Sequence, residues 1–288
     1  MRLAIYFLAV GEPAIRCLDL SHQALRQAGF TGDVFILTDQ ETVPFSLPDT
    51  THVCTLRPEH LNLDPDSTAA EALFDVRKLD TDNPRNARNP RKWTICRAKT
   101  LIDRYVVLAD YDYLIYLDVD VLTQGPIEDL EIYLQTNDGS IVTAQNQEGE
   151  RLGGRGNISF RKLKRVKTYS AANLSNVELL KHWFTKAMCS DIVCIPANAN
   201  GQALLKAWRE ECLKNIDYDQ PALQAVLLRQ FNPLHKLAPY SLFGYGPRHT
   251  SYNEEAIPKN VSSTFVHFGG AIKDSRVFTQ YYEQYINE

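Results

Sequence analysis

Two aspartates one residue apart, Asp118 and Asp120, follow an unbroken apolar run, and the stretch Tyr-Leu-Ile-Tyr-Leu-Asp-Val-Asp-Val-Leu over 113–122 is where the chain concentrates its chemistry. A run of leucine, isoleucine and tyrosine of this kind reads as a buried strand of a parallel sheet covered on both faces. Ligands of open α/β sheets gather outside the carboxyl ends of the strands, where these carboxylates stand. Residues two apart on a strand face the same way, so both can reach one divalent cation, Mn or Mg. An Asp pair after a strand also forms turns and helix caps, and the motif alone leaves that alternative open. Two enzyme chemistries use such a pair: metal-dependent sugar transfer from a nucleotide diphosphate, and phosphoryl transfer through an aspartyl nucleophile.

Further groups able to meet an anion or a cation are spread along the chain. Ser263-Thr-Phe-Val-His-Phe-Gly-Gly-Ala-Ile-Lys runs from a short strand into a glycine turn and a lysine. There His267 offers an imidazole nitrogen to a metal, Gly269 and Gly270 let backbone approach a phosphate, and Lys273 can neutralise it. Arg97 and Lys99 lie on a segment read as a helix over 93–105 and could reach a diphosphate, although surface cations are common on helices. Asp219 and Gln220 precede Pro221, which suits an N-cap and a first-turn proline as well as a catalytic pair.

The elements that must position these groups follow from periodicity. Residues 3–10 read as a strand, 13–28 as a helix closed by Gly29, and 33–38 as a second strand, the opening of a right-handed βαβ unit. No G-x-G-x-x-G joins them, so a dinucleotide fingerprint is absent, and a nucleotide would dock on the loop at Ala9 and Val10 instead. Residues 43–90 read as a long connection with a short helix near 69–76. After the Asp pair come a short helix from Pro126, a strand over 140–145 and a basic, Gly-rich insertion over 151–167. A strand over 187–195, a helix through Trp208 and Leu213, and a helix over 274–286 complete the reading. The basic stretches 85–92 and 151–167 suit solvated loops or flaps over an anionic ligand.

Composition bounds the class. The 288 residues can bury a substantial core, the 44% hydrophobic share is ordinary for a soluble protein, and a net charge of -4 gives no global pull toward nucleic acid. Gly11, Glu12 and Pro13 end the first apolar run too early for a signal peptide or a membrane span. The six cysteines form no C-x-x-C pair, which fits buried thiols in a reducing, cytoplasmic setting.

Taken in order, Leu117-Asp-Val-Asp-Val-Leu, Asp219-Gln220 and His267-x-x-Gly270-x-x-Lys273 resemble glycosyltransferase family 8, which includes glycogenin and bacterial lipooligosaccharide galactosyltransferases. The resemblance extends from the first strand to Lys273. It implies a single GT-A-like α/β domain with a central, mostly parallel sheet flanked by helices. A nucleotide-binding half would span 1–122, an acceptor and sugar half 123–273, and a C-terminal helix 274–288.

By the same resemblance, Asp118, Asp120 and His267 would hold Mn, with Mg possible, between the phosphates of a nucleotide sugar, usually UDP-linked. Lys273, Gly269 and Gly270 would hold the diphosphate, with Arg97 or Lys99 as the upstream cation and Ala9, Val10 and Val119 on the nucleotide side. Asp219 and Gln220 would line the reacting face of a sugar transferred with retention to an acceptor, a glycan, lipid-linked or small molecule. The family's Asn-x-Gly segment is replaced by Cys189-Ser190-Asp191, so Asp191 would take over a sugar hydroxyl. The other readings are a haloacid dehalogenase-type phosphotransferase and a non-catalytic nucleotide-sugar-binding protein. The first of these places its Asp strand near the N-terminus and needs a later acidic pair, which is not evident here.

Overall fold

Strand β1 (Leu3–Ala9) is buried at every position, and its alternation shows how the core is built. Leu3, Ile5, Phe7 and Ala9 enter one apolar cluster while Ala4, Tyr6 and Leu8 enter another, as expected of a strand with a packed layer on each face. The structure is a computed structural model that describes residues 1–57, 97–145, 188–214, 219–246, 263–269, 271–272 and 275–287. Outside them lie the helix read near 69–76, the basic stretches 85–92 and 151–167, the segment 93–96, Gly270 and Lys273.

Helix α1 (Glu12–Gln27) starts after Gly11, whose φ of 81° suits glycine, and carries Pro13 in its first turn, where a missing N–H costs nothing. Then come β2 (Asp33–Thr38), β3 (Thr51–Thr55), a 3-10 helix (Lys99–Arg104), β4 (Tyr113–Leu117), β5 (Val121–Thr123) and α2 (Glu128–Thr136). They are followed by β6 (Ile141–Gln145), β7 (Met188–Pro196), α3 (Ala199–Lys214) and α4 (Asp219–Val226), which continues into a π-helical turn at Leu227–Phe231. Short strands β8 (His235–Leu237), β9 (Phe243–Tyr245) and β10 (Phe265–His267) precede α5 (Arg276–Tyr285).

The large sheet has the order β3-β2-β1-β4-β7-β6-β8. Every neighbouring pair is parallel except those made by β7, so the expected mostly parallel α/β sheet is present. Helices α1, α2 and α5 cover one face through Leu18, Leu130 and Phe278. The opposite face is covered by α3, α4 and the 3-10 helix through Trp208, Leu223 and Ile102. A small sheet, β5-β10-β9, stands beside the large one.

Three expectations are corrected here. The stretch 113–122 is two strands in two sheets, not one, because the chain turns at the Asp pair. Within the expected helix over 93–105, residues Lys99–Arg104 form a 3-10 helix, and the supposed connection after residue 43 contains β3 at the sheet edge. No helix among the described residues is long and apolar enough to cross a membrane, and Cys17, Cys54, Cys189, Cys194 and Cys212 are buried and unbridged.

Candidate cation and donor site

The Asp turn is fixed from three sides. The Asp118 N–H donates to the Asp191 carbonyl of β7 at 2.8 Å, and the Val121 N–H returns to the Asp118 carbonyl at 3.1 Å. Val119 is buried in the core, and its carbonyl accepts the Ser21 hydroxyl of α1 at 2.6 Å. On the far side the Phe268 N–H donates to the Asp120 carbonyl at 2.8 Å, beside an antiparallel ladder that sets His267 opposite Val121. The turn and the short β10 thereby bring ligand atoms of Asp118, Asp120 and His267 within 4.8 Å of one another. Convergence comes from this turn rather than from two same-facing positions on one strand.

A second set of side chains surrounds that trio. Lys99 reaches in from the 3-10 helix with its Nζ 3.0 Å from Asp118 Oδ1 and 2.8 Å from Asp219 Oδ2, and 4.7 Å from the Tyr116 ring centre. The Tyr6 hydroxyl donates to the Lys99 carbonyl at 3.2 Å, and the Tyr116 hydroxyl donates to Asp118 Oδ1. Trp208 Nε1–H donates to the Asp219 carbonyl at 3.0 Å, tying the first residue of α4 to α3. His267 Nε2 lies 3.3 Å from Asp120 Oδ1, and its Nδ1 lies 2.9 Å from Asp191 Oδ2. The Cys189 thiol donates to the same Asp191 oxygen and lies 3.5 Å from Gln220 Oε1.

Asp191 reaches the site through an irregularity in β7. Val193 pairs with Thr143, but the next residue of β6, Ala144, pairs with Cys189 where an unbroken ladder would offer Ile192. Such bulges re-aim side chains beside functional sites. Here Ser190, Asp191 and Ile192 are the residues passed over by β6.

Charge in this cluster is unbalanced, and proton affinities register it. Burial, opposed by Lys99 and reinforced by the charges of Asp191 and Asp120, pushes Asp118 up to about 7. Burial also works to raise Asp191, yet His267, the Cys189 thiol and Lys99 hold it well below the ordinary carboxylate range. For His267 burial opposes the charged form, and Asp191 with Asp120 outweigh it and hold the imidazole well above its usual value. Among the described residues, Asp118, Asp120, Asp191 and Asp219 thus face Lys99 and His267 as the cations in these contacts. Two carboxylates and an imidazole are a donor set for Mn or Mg, and a divalent charge would offset both the burial and the neighbouring carboxylates that raise the proton affinity of Asp118.

The other residues singled out in the sequence fall in different places. Arg97 is buried, with Cys212 and Arg209 of α3 as its electrostatic neighbours, whereas Lys99 meets the site carboxylates. Ala9 ends β1 opposite Thr38, and Val10 packs against the second core cluster. Their side chains serve packing, and the loop continues to Gly11, whose N–H donates to Asp39 Oδ1 at 3.1 Å. Gly269 follows the site closely: a Cβ there would stand 3.4 Å from His267 Cε1. Gln220 is half-buried at the start of α4.

Sequence reasoning passed over Ser21, Asp39 and Tyr116, and named Cys189 as part of the Cys189-Ser190-Asp191 segment without giving it a role. Tyr116, two residues before Asp118, and Asp39, directly after β2, occupy positions from which the strand pattern could have nominated them. Ser21 carries no such signal.

Neither a protein-family model nor a curated protein matches the sequence. Solved structures do match. The crystal structure of the galactosyltransferase LgtC in complex with donor and acceptor sugar analogs aligns over 98% of this chain and 96% of that one, with a TM-score of 0.53 at 13% identity. An active-site mutant of LgtC aligns over 93% of this chain and 87% of that one, with a TM-score of 0.52 at 13% identity. The chain therefore has the GT-A-like fold of the family 8 galactosyltransferase LgtC, carried by a sequence that shares little with it.

Proposed function

We propose that the protein is a divergent family 8-type glycosyltransferase that moves a sugar from a nucleotide-diphosphate donor, a UDP-sugar, to an acceptor with retention of configuration. The observation that carries this reading is the convergence of Asp118, Asp120 and His267 within 4.8 Å, at the end of β4 where an α/β sheet binds its ligand. The fold shared with LgtC, whose structure holds donor and acceptor sugar analogs, supports the same class.

In this reading Asp118, Asp120 and His267 hold a divalent cation, Mn or Mg, which would neutralise the diphosphate as the sugar–phosphate bond breaks. Lys99, held between Asp118 and Asp219, keeps the acidic wall of the site assembled and supplies positive charge beside the leaving group. The backbone at Gly269 and Gly270 and the Lys273 ammonium complete the diphosphate contacts. Such charges and dipoles stabilise the developing oxyanion more than the ground state. Gln220 lines the reacting face of the sugar. An amide is a poor nucleophile, so its carbonyl stabilises positive charge at the anomeric carbon while the acceptor attacks from the side the phosphate leaves.

The test is a calorimetric titration of UDP, with GDP as comparator, into metal-free protein with and without Mn, alongside Asp120→Ala. Hydrolysis of a UDP-sugar panel is followed in the same samples. UDP binding that requires Mn and disappears in Asp120→Ala is the expected result. If neither nucleotide binds in a Mn-dependent way, the reading fails.

A further inference from the structure

Asp191 stands where the resemblance would put a sugar-binding group, and its side chain also reaches the proposed cation ligand His267. Its Oδ2 lies 2.9 Å from His267 Nδ1 and accepts the Cys189 thiol, while its carbonyl accepts the Asp118 N–H. The opposite ring nitrogen, Nε2, faces Asp120 at 3.3 Å. The imidazole therefore lies between a carboxylate on the cation side and another behind it. Nδ1 is buried, and the Asp191 carboxylate is the charge it meets at 2.9 Å.

We propose that Asp191 is a positioning residue for the cation site, fixing the orientation of His267 from behind so that Nε2 is presented toward Asp120. Metal-ligating histidines commonly direct their second nitrogen to a carboxylate, which sets the ring's orientation and raises its basicity. The irregularity in β7 is what aims the carboxylate, since Ala144 pairs with Cys189 and passes over Asp191. The Cys189 thiol, buried with its own pKa raised well above the usual value by burial and by Asp191, stays protonated as a donor and keeps the carboxylate on the His267 side. The inference rests on the cation site of the proposed function and assigns Asp191 to the cation rather than to the sugar.

The experiment measures Co(II) and Mg(II) affinities by calorimetry as a function of pH, corrected for the protons that the cation displaces, for the full chain and for Asp191→Asn and Asp191→Ala. Thermal unfolding verifies that each variant is folded. Cobalt is drawn to the imidazole and magnesium mainly to the carboxylates. Loss of the charge behind His267 is expected to lower Co(II) affinity by about 10- to 100-fold, the usual range for such supporting partners. Mg(II) affinity should fall by much less. A general loosening would lower both affinities alike, and that result, or no change in either, overturns the proposal. Unchanged cation affinities combined with weaker binding of a UDP-sugar but not of UDP would assign Asp191 to the sugar and overturn it as well. If the unaltered chain binds neither cation, the cation site itself falls, and the role of Asp191 with it; this outcome differs from a bound cation that ignores the substitution.

Discussion

Lys99 lies between two carboxylates that would otherwise repel each other, 3.0 Å from Asp118 and 2.8 Å from Asp219. Removing one partner of a buried ionic group leaves uncompensated charge, a loss of about 3–5 kcal/mol. Lys99→Met is therefore expected to destabilise the metal-free protein by about 3 kcal/mol in urea at pH 7.5, and by clearly less at pH 5. The difference arises because Asp118, pushed up to about 7, already holds its proton at pH 5. Equal losses at both pH values would contradict the arrangement.

The same groups set a wider pH dependence. Asp118 and His267 both bind protons more tightly folded than unfolded. Their contribution to stability is largest below their unfolded values and declines as pH rises, through about 7 for Asp118 and further up for His267. Asp191, held low, contributes above the ordinary carboxylate value and loses that contribution on acidification. Without metal, stability should thus peak at mildly acidic pH and fall toward pH 8. Saturating Mn must displace the protons of Asp118 and His267, so its affinity should rise over the same interval and flatten or reverse the slope. Thermal melts at pH 5.5, 7 and 8, with and without Mn, read both trends.

At the scale of elements, the contacts that hold the site lie one layer behind it. The start of α3 crosses the end of β7 so closely that a Cβ on Gly201 would lie 1.8 Å from the Pro196 carbonyl oxygen and 2.9 Å from Ile195 Cγ2. The clash is with backbone, which cannot rotate away. Asn198 Oδ1 accepts the N–H groups of Asn200 and Gly201 and locks the same turn. Gly201→Ala is expected to cost at least about 2–3 kcal/mol, against the roughly 1 kcal/mol gain that alanine brings to an unconstrained helix; urea denaturation reads the sign directly. On the other face, Ser21→Ala removes the donor to the buried Val119 carbonyl. A stability loss of about 1–3 kcal/mol is expected, together with weaker Mn binding, because that bond ties the Asp turn to α1.

At the scale of the whole molecule, strands from residues 1–122 and from residues 123–273 join in the large sheet through the β4–β7 pair. Helix α5 closes over it. Its Tyr281 hydroxyl donates to Gln124 at 2.6 Å and its Tyr282 hydroxyl to Gln23 at 2.9 Å. Phe268, the residue after His267, packs its ring on Phe278 and Tyr281 at 5.5 and 4.9 Å between centres. Phe278→Ala should cost about 3–5 kcal/mol and weaken Mn binding from the far side of β10. Given the shared sheet, urea unfolding should be one cooperative transition reported alike by tryptophan fluorescence and far-UV dichroism; two separated transitions would show that the halves fold independently.

What the sequence determined by itself was local and periodic. Val34, Ile36, Tyr113 and Ile115 alternate with Phe35, Leu37, Leu114 and Tyr116 between two core clusters, and that pattern, with Pro13 and Gly29 as punctuation, exposes the sheet and its first helix before any contact is known. It also nominates Asp118, Asp120 and His267, because few residue types serve as cation ligands. Short strands such as β8 and β9 were hidden, since three residues carry too little periodicity and gain their stability only from the neighbours they pair with; β10 was legible as the short strand before the glycine turn. Tertiary structure alone separated Lys99, which enters the carboxylate cluster, from Arg97, which lies near Cys212 and Arg209. It alone brought Asp191 to His267 across 76 positions of sequence, through a slip in strand register whose cause is pairing between distant segments.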